Sequence, residues 1–208
     1  MRLGAEARRR AAPERVNDWA KQYIPLERAA TEIRMVFNEI PGLLQTRAVA
    51  KAQLSRSPVV LAADIEGMAS AREERGNRLF EAGAPQVWVV LGEEALLRQV
   101  GSRDVMAAQL KRLREMADLP TVSIRVIPLD CGTYAGLSCP FTLLWIERAK
   151  ATIAYLETLT GADYGSPLGR IASRLIRRRT MRCQRQTRSL CLIAASPTCT
   201  NAGYRRRA

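Results

Sequence analysis

Histidine is absent from this 208-residue sequence. Without histidine the chain cannot build a Ser-His-Asp or Cys-His arrangement, which removes the commonest routes to an activated nucleophile. A histidine-containing zinc site is excluded for the same reason. The G-x-x-x-x-G-K-[ST] and G-x-G-x-x-G loops that cradle phosphates are missing as well. We therefore predict no catalytic residue, no metal site and no cofactor, and we expect a protein that is not an enzyme.

Long apolar runs are also lacking. No stretch approaches the roughly 20 apolar residues that span a bilayer, and the basic start MRLGAEARRRAAPER is not followed by the apolar segment of a secretory signal. We expect a cytoplasmic protein with no membrane partner.

The five cysteines form no C-x-x-C pair, and their odd number favours free thiols over a disulfide framework.

Acidic residues disappear from the end of the chain. Residues 165–208 contain eleven arginines and no Asp, Glu or Lys, so the rest of the chain carries only +2 of the formal charge of +13. The cluster Arg177, Arg178, Arg179 and Arg182 is the candidate nucleic-acid site, since arginines bind phosphates. A disordered basic tail or a shifted reading frame gives the same composition. We favour these two interpretations, because Tyr204 is the only aromatic residue within residues 165–208 that could stack on bases.

The first half of the chain has helical periodicity. Residues 14–38 predict helix on both sides of a break at Pro25. In the following segment Pro41 fixes its own backbone, and Gly42 tolerates angles that side chains forbid, so the pair predicts a corner. Further helices are expected at about 43–54 and 58–82. The candidate interaction corner consists of Pro41, Gly42, Leu43, Leu44, Gln45 and Thr46, although the spacing of the two leucines also suits plain core packing.

Strands are predicted later in the chain. Residues 86–91 form a short β-branched run, and 121–127, 141–146 and 151–157 follow after two short helices, the second capped by Ser102. Trp88 and Trp145 lie in such runs and are expected in the core. The order predicts an α+β fold, with amino-terminal helices packed on one small, largely antiparallel sheet of about four strands.

The longest predicted loop, residues 129–140, is the candidate ligand loop. Asp130, Cys131 and Tyr134 could line a site there, although loop residues more often simply meet solvent.

Four motifs in a fixed order give the sequence a family resemblance. IPGLLQT, EEALLRQVG, QLKRL and SIRVIP resemble the C-terminal domain of actinobacterial XRE-type helix-turn-helix regulators, the antitoxin-like and WhiJ-like transcriptional regulators. The resemblance covers about residues 19–164. It predicts a regulatory or interaction domain there and a linker or remnant of a lost helix-turn-helix in residues 1–18. The composition of residues 165–208 marks them as a separate basic tail.

The resemblance also implies partners. A small acidic protein encoded nearby and a second copy of the chain are the expected partners, with the 41–46 corner as the interface. DNA would be a partner only if a helix-turn-helix is supplied, because eighteen residues are too few for its three helices.

Overall fold

The computed structural model describes residues 16–158, 161–165 and 188–189. Its helices and strands alternate along much of the chain. The helices are α1 Val16–Ala29, α2 Arg47–Leu54, α3 Ile65–Asn77, α4 Glu94–Leu97, α5 Arg103–Ala117 and α6 Ala135–Ser138. The strands are β1 Glu32–Phe37, β2 Gln86–Gly92, β3 Val122–Ile127, β4 Phe141–Ile146, β5 Ala151–Thr158, β6 Gly161–Gly165 and β7 Arg188–Ser189.

The segment after α1 departs from the prediction. Pro25 lies inside α1 rather than at a break, and the helix expected up to residue 38 is replaced by strand β1. Ile33 and Met35 of β1 face one side of the sheet, and Val36 is buried on the other side. The apolar residues of this segment fit both helical and strand spacing. Pairing with β2 and β4 selects the strand.

The sheet is mixed and has the strand order β6-β5-β4-β1-β2-β3-β7. Strand β1 lies in the middle, parallel to β2 and antiparallel to β4, and β3 is parallel to β2. The α+β class is confirmed. The predicted number of about four strands was too low for the described residues, because β1 was expected to be helical and β6 and β7 were not foreseen.

The main core lies between the sheet and α1, α2 and α5, and α3 packs on α2 in a separate small cluster. Its apolar side chains come from the helix-facing side of the strands and from the helices themselves, including Ile33, Leu44, Val89, Leu113 and Leu144. A smaller cluster lies on the opposite face, where the 129–138 loop and α6 reach the sheet. That face is less covered: Trp88 is 38% exposed with the Arg34 guanidinium 4.9 Å from its ring centroid. The expectation that Trp88 lies in the core was wrong.

Local signals placed several elements correctly. Ser102 caps α5 by accepting a hydrogen bond from the Val105 N–H at 3.3 Å. Strands β2 to β5 lie within one residue of their expected ends. Within the described ranges, each helix is too short or too polar to cross a bilayer. The predicted arginine cluster 177–182 and the expected remnant helix near the amino terminus lie outside the described residues.

Candidate functional site

The 41–46 corner joins β1 to α2 and turns inward. Pro41 is extended, and a single turn of 3-10 helix at Gly42–Leu44 follows, closed by the Leu44 N–H donating to the Pro41 carbonyl at 2.9 Å. Leu43 and Leu44 are buried in the core. Gly42 does not adopt a positive φ, so its predicted conformational role was wrong. A Cβ at this position would instead lie 3.4 Å from the Arg72 side chain.

Gln45 is the polar centre of the corner. It is 1% exposed, and its amide nitrogen donates to the Ile40 carbonyl at 2.8 Å and to the Gln53 side chain. Its amide oxygen accepts from Arg72 Nη1 at 2.8 Å. Gln53 in turn donates to Glu39 Oε2 at 2.7 Å. One buried amide therefore connects the end of β1 with α2 and α3.

Gln109 of α5 holds the backbone of the same corner. This fully buried side chain donates to the Leu44 carbonyl at 2.8 Å and accepts from the Thr46 N–H at 2.7 Å. Thr46 itself caps α2 by accepting from the Val49 N–H at 3.3 Å. Sequence reasoning missed Gln109, although its position in line with Met106 and Leu113 on the apolar stripe of α5 was a usable signal.

Helix α3 approaches the corner closely at Gly76. This glycine is buried, and an added Cβ would lie 2.6 Å from the Leu43 carbonyl oxygen. Any side chain would therefore push α3 away from the corner. Gly76 is required here for close approach, not for an unusual backbone angle.

A buried ion pair fastens α1 to α3. Arg75 donates to both carboxylate oxygens of Glu27, from Nε at 2.9 Å and from Nη2 at 3.2 Å. The Arg75 guanidinium also lies 5.6 Å from the centroid of the Tyr23 ring. Burial raises the pKa of the Tyr23 hydroxyl well above its usual value, and the neighbouring Glu27 carboxylate adds to the increase.

These elements enclose a cleft of about 950 Å³ between the helices and the sheet. Four of the predicted corner residues, Pro41, Gly42, Leu43 and Gln45, belong to its wall. The apolar part of the lining includes Ile24, Met35, Phe37, Val59, Val60 and Met68; the polar part includes Glu39, Gln53, Arg72, Thr142, Tyr155 and Glu157. The corner is thus a wall of an internal cleft and not a projecting surface.

Several ionisable groups that line the cleft have shifted pKa values. Desolvation raises the pKa of the Glu39 carboxyl, and repulsion by the Glu157 carboxylate raises it further. Desolvation lowers the pKa of the Arg72 guanidinium, with Glu157 acting in the opposite direction. Burial also raises the pKa of the Tyr155 hydroxyl. None of Glu39, Arg72 and Glu157 forms an ion pair within the part of the chain that the structure describes.

The predicted ligand loop lies on the other face of the sheet, away from the corner. Asp130 is not buried, while Tyr134 donates to Glu94 Oε1 at 2.9 Å and packs on the smaller apolar cluster. Cys131 is disulfide-bonded, so the expectation of free thiols is wrong at this position. Cys139 is free and exposed. Asp130, Cys131 and Tyr134 therefore do not line the cleft, although Pro140 at the end of this loop does.

Among residues 16–158, 161–165 and 188–189, no group of three His, Cys, Asp or Glu side chains is placed to hold a metal ion.

One family model matches the chain. It is described as a domain of unknown function (DUF5753), and it covers residues 20–194. That range begins close to the predicted boundary at residue 19 and extends past the predicted end at residue 164. No curated protein matches the chain. Since the model covers most of the 208 residues, the chain belongs to the DUF5753 family.

Proposed function

We propose that this chain is the sensing or partner-binding domain of a helix-turn-helix, antitoxin-like transcriptional regulator, and that the cleft is its regulatory site. The cleft beside the 41–46 corner is the observation that carries the proposal. It is large enough for a small molecule, mostly apolar, and supplied with a few convergent polar groups, which is the usual composition of a ligand site.

The connections of Gln45 offer a route from the cleft to the rest of the fold. Arg72 lines the cleft and donates to Gln45, which is bonded to Gln53 of α2. An occupant that draws the Arg72 guanidinium away from Gln45 would leave a buried amide oxygen unpaired. That loss costs about 1–3 kcal/mol, enough to shift a balance between two arrangements of α2 and α3. Ligand binding would thereby change the surface that these helices present.

The remaining parts of the proposal concern partners and place of action. The resemblance of the motifs to XRE-type regulators supports a cytoplasmic role, with DNA reached through a helix-turn-helix. It also supports a small acidic protein encoded nearby, or a second copy of the chain, as the partner whose binding depends on the conformation of the domain. Because Leu43, Leu44 and Gln45 are buried, such a partner would contact the exposed faces of α2 and α3 and not these side chains directly.

Gly67 allows the cleft to be blocked without disturbing the fold. It lines the cleft on α3, and an added Cβ would meet nothing within 4 Å. In a host strain lacking its own copy, we expect the full chain and its Gly67→Ala variant to restore the same transcript profile. Gly67→Trp, which places a large side chain in the cleft, should give a different profile with an unfolding midpoint no lower than that of the parent chain. Identical profiles for Gly67→Trp and the parent chain would refute the assignment of the cleft.

The arginine content of residues 165–208 favours a second candidate function, non-specific nucleic-acid binding. Eleven arginines without one carboxylate form a strong phosphate-binding segment. Affinity of the full chain for a random-sequence duplex should fall steeply between low and physiological salt. Replacing Arg177, Arg178 and Arg179 by Gln should reduce the slope of that dependence. A flat salt dependence in the parent chain would remove this candidate.

A further inference from the structure

The charge of the cleft is unbalanced. Five ionisable side chains of known sign line it, and one of them, Arg75, is already paired with Glu27 at 2.9 Å. This leaves the three carboxylates of Glu39, Asp64 and Glu157 against the single guanidinium of Arg72. Arg98 does not line the cleft, and its attraction for Glu39 is weaker than that of Arg72. The net charge of these side chains is negative, so the cleft should bind a cation more favourably than an anion.

The sheet places aromatic rings next to these carboxylates. Met35, Thr142 and Tyr155 lie in register across β1, β4 and β5. Two residues further along their strands, and therefore on the same face, come Phe37 and Glu157, which also line the cleft. Carboxylate and aromatic side chains that line one cleft are the groups that hold organic ammonium ions, through ion pairing and cation–π attraction.

Thr142 provides independent evidence for a ligand site. It is 1% exposed and lines the cleft. Its hydroxyl has no hydrogen-bond partner among the described residues, although its strand is fully paired on both sides. A buried hydroxyl without a partner is unfavourable by about 1–3 kcal/mol. A ligand N–H donating to this oxygen would remove that cost.

Arg72 does not turn the cleft into an anion site. Its guanidinium already donates to Gln45, and the Glu39 and Glu157 carboxylates act on it electrostatically. An acidic ligand at Arg72 would be repelled by both carboxylates. A protonated amine instead relieves the repulsion between Glu39 and Glu157, which contributes to the raised pKa of Glu39.

We propose that the cleft binds an organic amine in its protonated form, with the ammonium group between Glu39 and Glu157 and one N–H donating to the Thr142 hydroxyl. The apolar body of the amine packs against Val60 and Met68 at the opposite wall. This assignment rests on the proposed sensing function and specifies the chemistry of its ligand.

Three probes with the same aromatic body and different charge test the chemistry. Binding of 2-phenylethylammonium, 2-phenylethanol and 3-phenylpropanoate to the full chain is measured by ligand-observed NMR and calorimetry. We expect the ammonium to bind at least about 10-fold more tightly than the other two, as loss of one charged contact predicts.

Variants locate the binding. Glu157→Gln should weaken ammonium binding about 10-fold, and Thr142→Val should weaken it without lowering the unfolding midpoint, because the substitution removes an unpaired hydroxyl. Glu74→Gln is the matched control, since Glu74 is exposed on α3 and outside the cleft; it should leave the affinity unchanged.

Each other outcome overturns the amine assignment. Equal affinity for the three probes would mean that charge plays no part, and tighter binding of the propanoate would mean that Arg72 defines an anion site. Failure of all three to bind, while Gly67→Trp still alters transcription, would reject the amine and leave the sensing function standing. An unaltered transcript profile with Gly67→Trp would reject the function itself.

Discussion

Substitution by alanine should have opposite effects on stability at two glycines of α3, Gly67 and Gly76. At Gly67 an added Cβ meets nothing within 4 Å, so Gly67→Ala gains helix propensity and should stabilise the fold by about 0.5–1 kcal/mol. At Gly76 the Cβ would lie 2.6 Å from the Leu43 carbonyl oxygen, roughly 0.7 Å closer than the ~3.3 Å of a normal C–O contact. The same propensity gain is therefore opposed by a backbone collision.

The magnitude depends on whether the corner can yield. Gln109 holds both the carbonyl of Leu44 and the N–H of Thr46, so movement of Leu43 would disturb two buried hydrogen bonds. We therefore place the overpacking cost near the upper end of its usual range, about 3 kcal/mol. After subtraction of about 1 kcal/mol of propensity, Gly76→Ala should destabilise the protein by about 2 kcal/mol.

Urea unfolding of the full chain measures both effects. The midpoint should rise for Gly67→Ala and fall for Gly76→Ala, with similar m-values. A Gly76→Ala variant as stable as Gly67→Ala would show that the corner moves freely. The inference that α3 is held against a rigid corner would then be refuted.

Three further variants test polar and charged groups of the corner, the ion pair and the cleft. Gln109→Leu leaves two backbone groups of the corner unpaired and should lower stability by about 2–4 kcal/mol in urea unfolding, whereas Gln99→Leu on the surface should change it by less than about 0.5 kcal/mol. Glu27→Gln leaves the Arg75 charge buried without a counterion and should lower the unfolding free energy by about 3–5 kcal/mol; a smaller loss would indicate that water reaches the pair. Because folding raises the pKa of Glu39, the folded state binds more protons, and stability falls as pH rises from the ordinary carboxyl range through the raised pKa. Glu39→Gln should therefore raise the urea midpoint at about pH 7 and leave it unchanged near pH 3; an equal gain at both values would exclude titration as the cause.

Local sequence signals predicted much of the fold after residue 40. Thr46 and Ser102 mark the starts of α2 and α5 because their hydroxyls satisfy free N–H groups of the first turn. Strand β2 was evident because a short β-branched run suits a strand with both faces covered. Such signals act over a few residues and therefore remain valid whatever the neighbouring elements do.

The secondary structure of the β1 segment could not be assigned from such local signals. Ile33, Met35 and Phe37 alternate, yet with Val36 and the preceding α1 they also fit a helical stripe. Only partners distant in sequence, β2 and β4, decide between the two. This error made the predicted architecture wrong as well, since a central β1 makes three neighbouring strands parallel.

The candidate site divides in the same way. The sequence indicated that residues 41–46 form a corner with an unexplained glutamine, and Gln45 does prove to be the polar centre there. Its partner Arg72 comes from α3, and Gln109, which binds the backbone of Leu44 and Thr46, comes from α5. Both lie tens of residues away, and no local pattern connects them to the corner.

The sequence by itself determined the α+β class, the turn at residues 41–46, the capped helices and the absence of histidine chemistry, because these depend on residue type and near neighbours. Tertiary structure alone decided that β1 is a strand and that Gly76 must lack a side chain. It also decided that Glu39, Thr142 and Glu157 share one cleft. The physical reason is that burial and sheet pairing bring together groups whose separation along the chain carries no signal of contact.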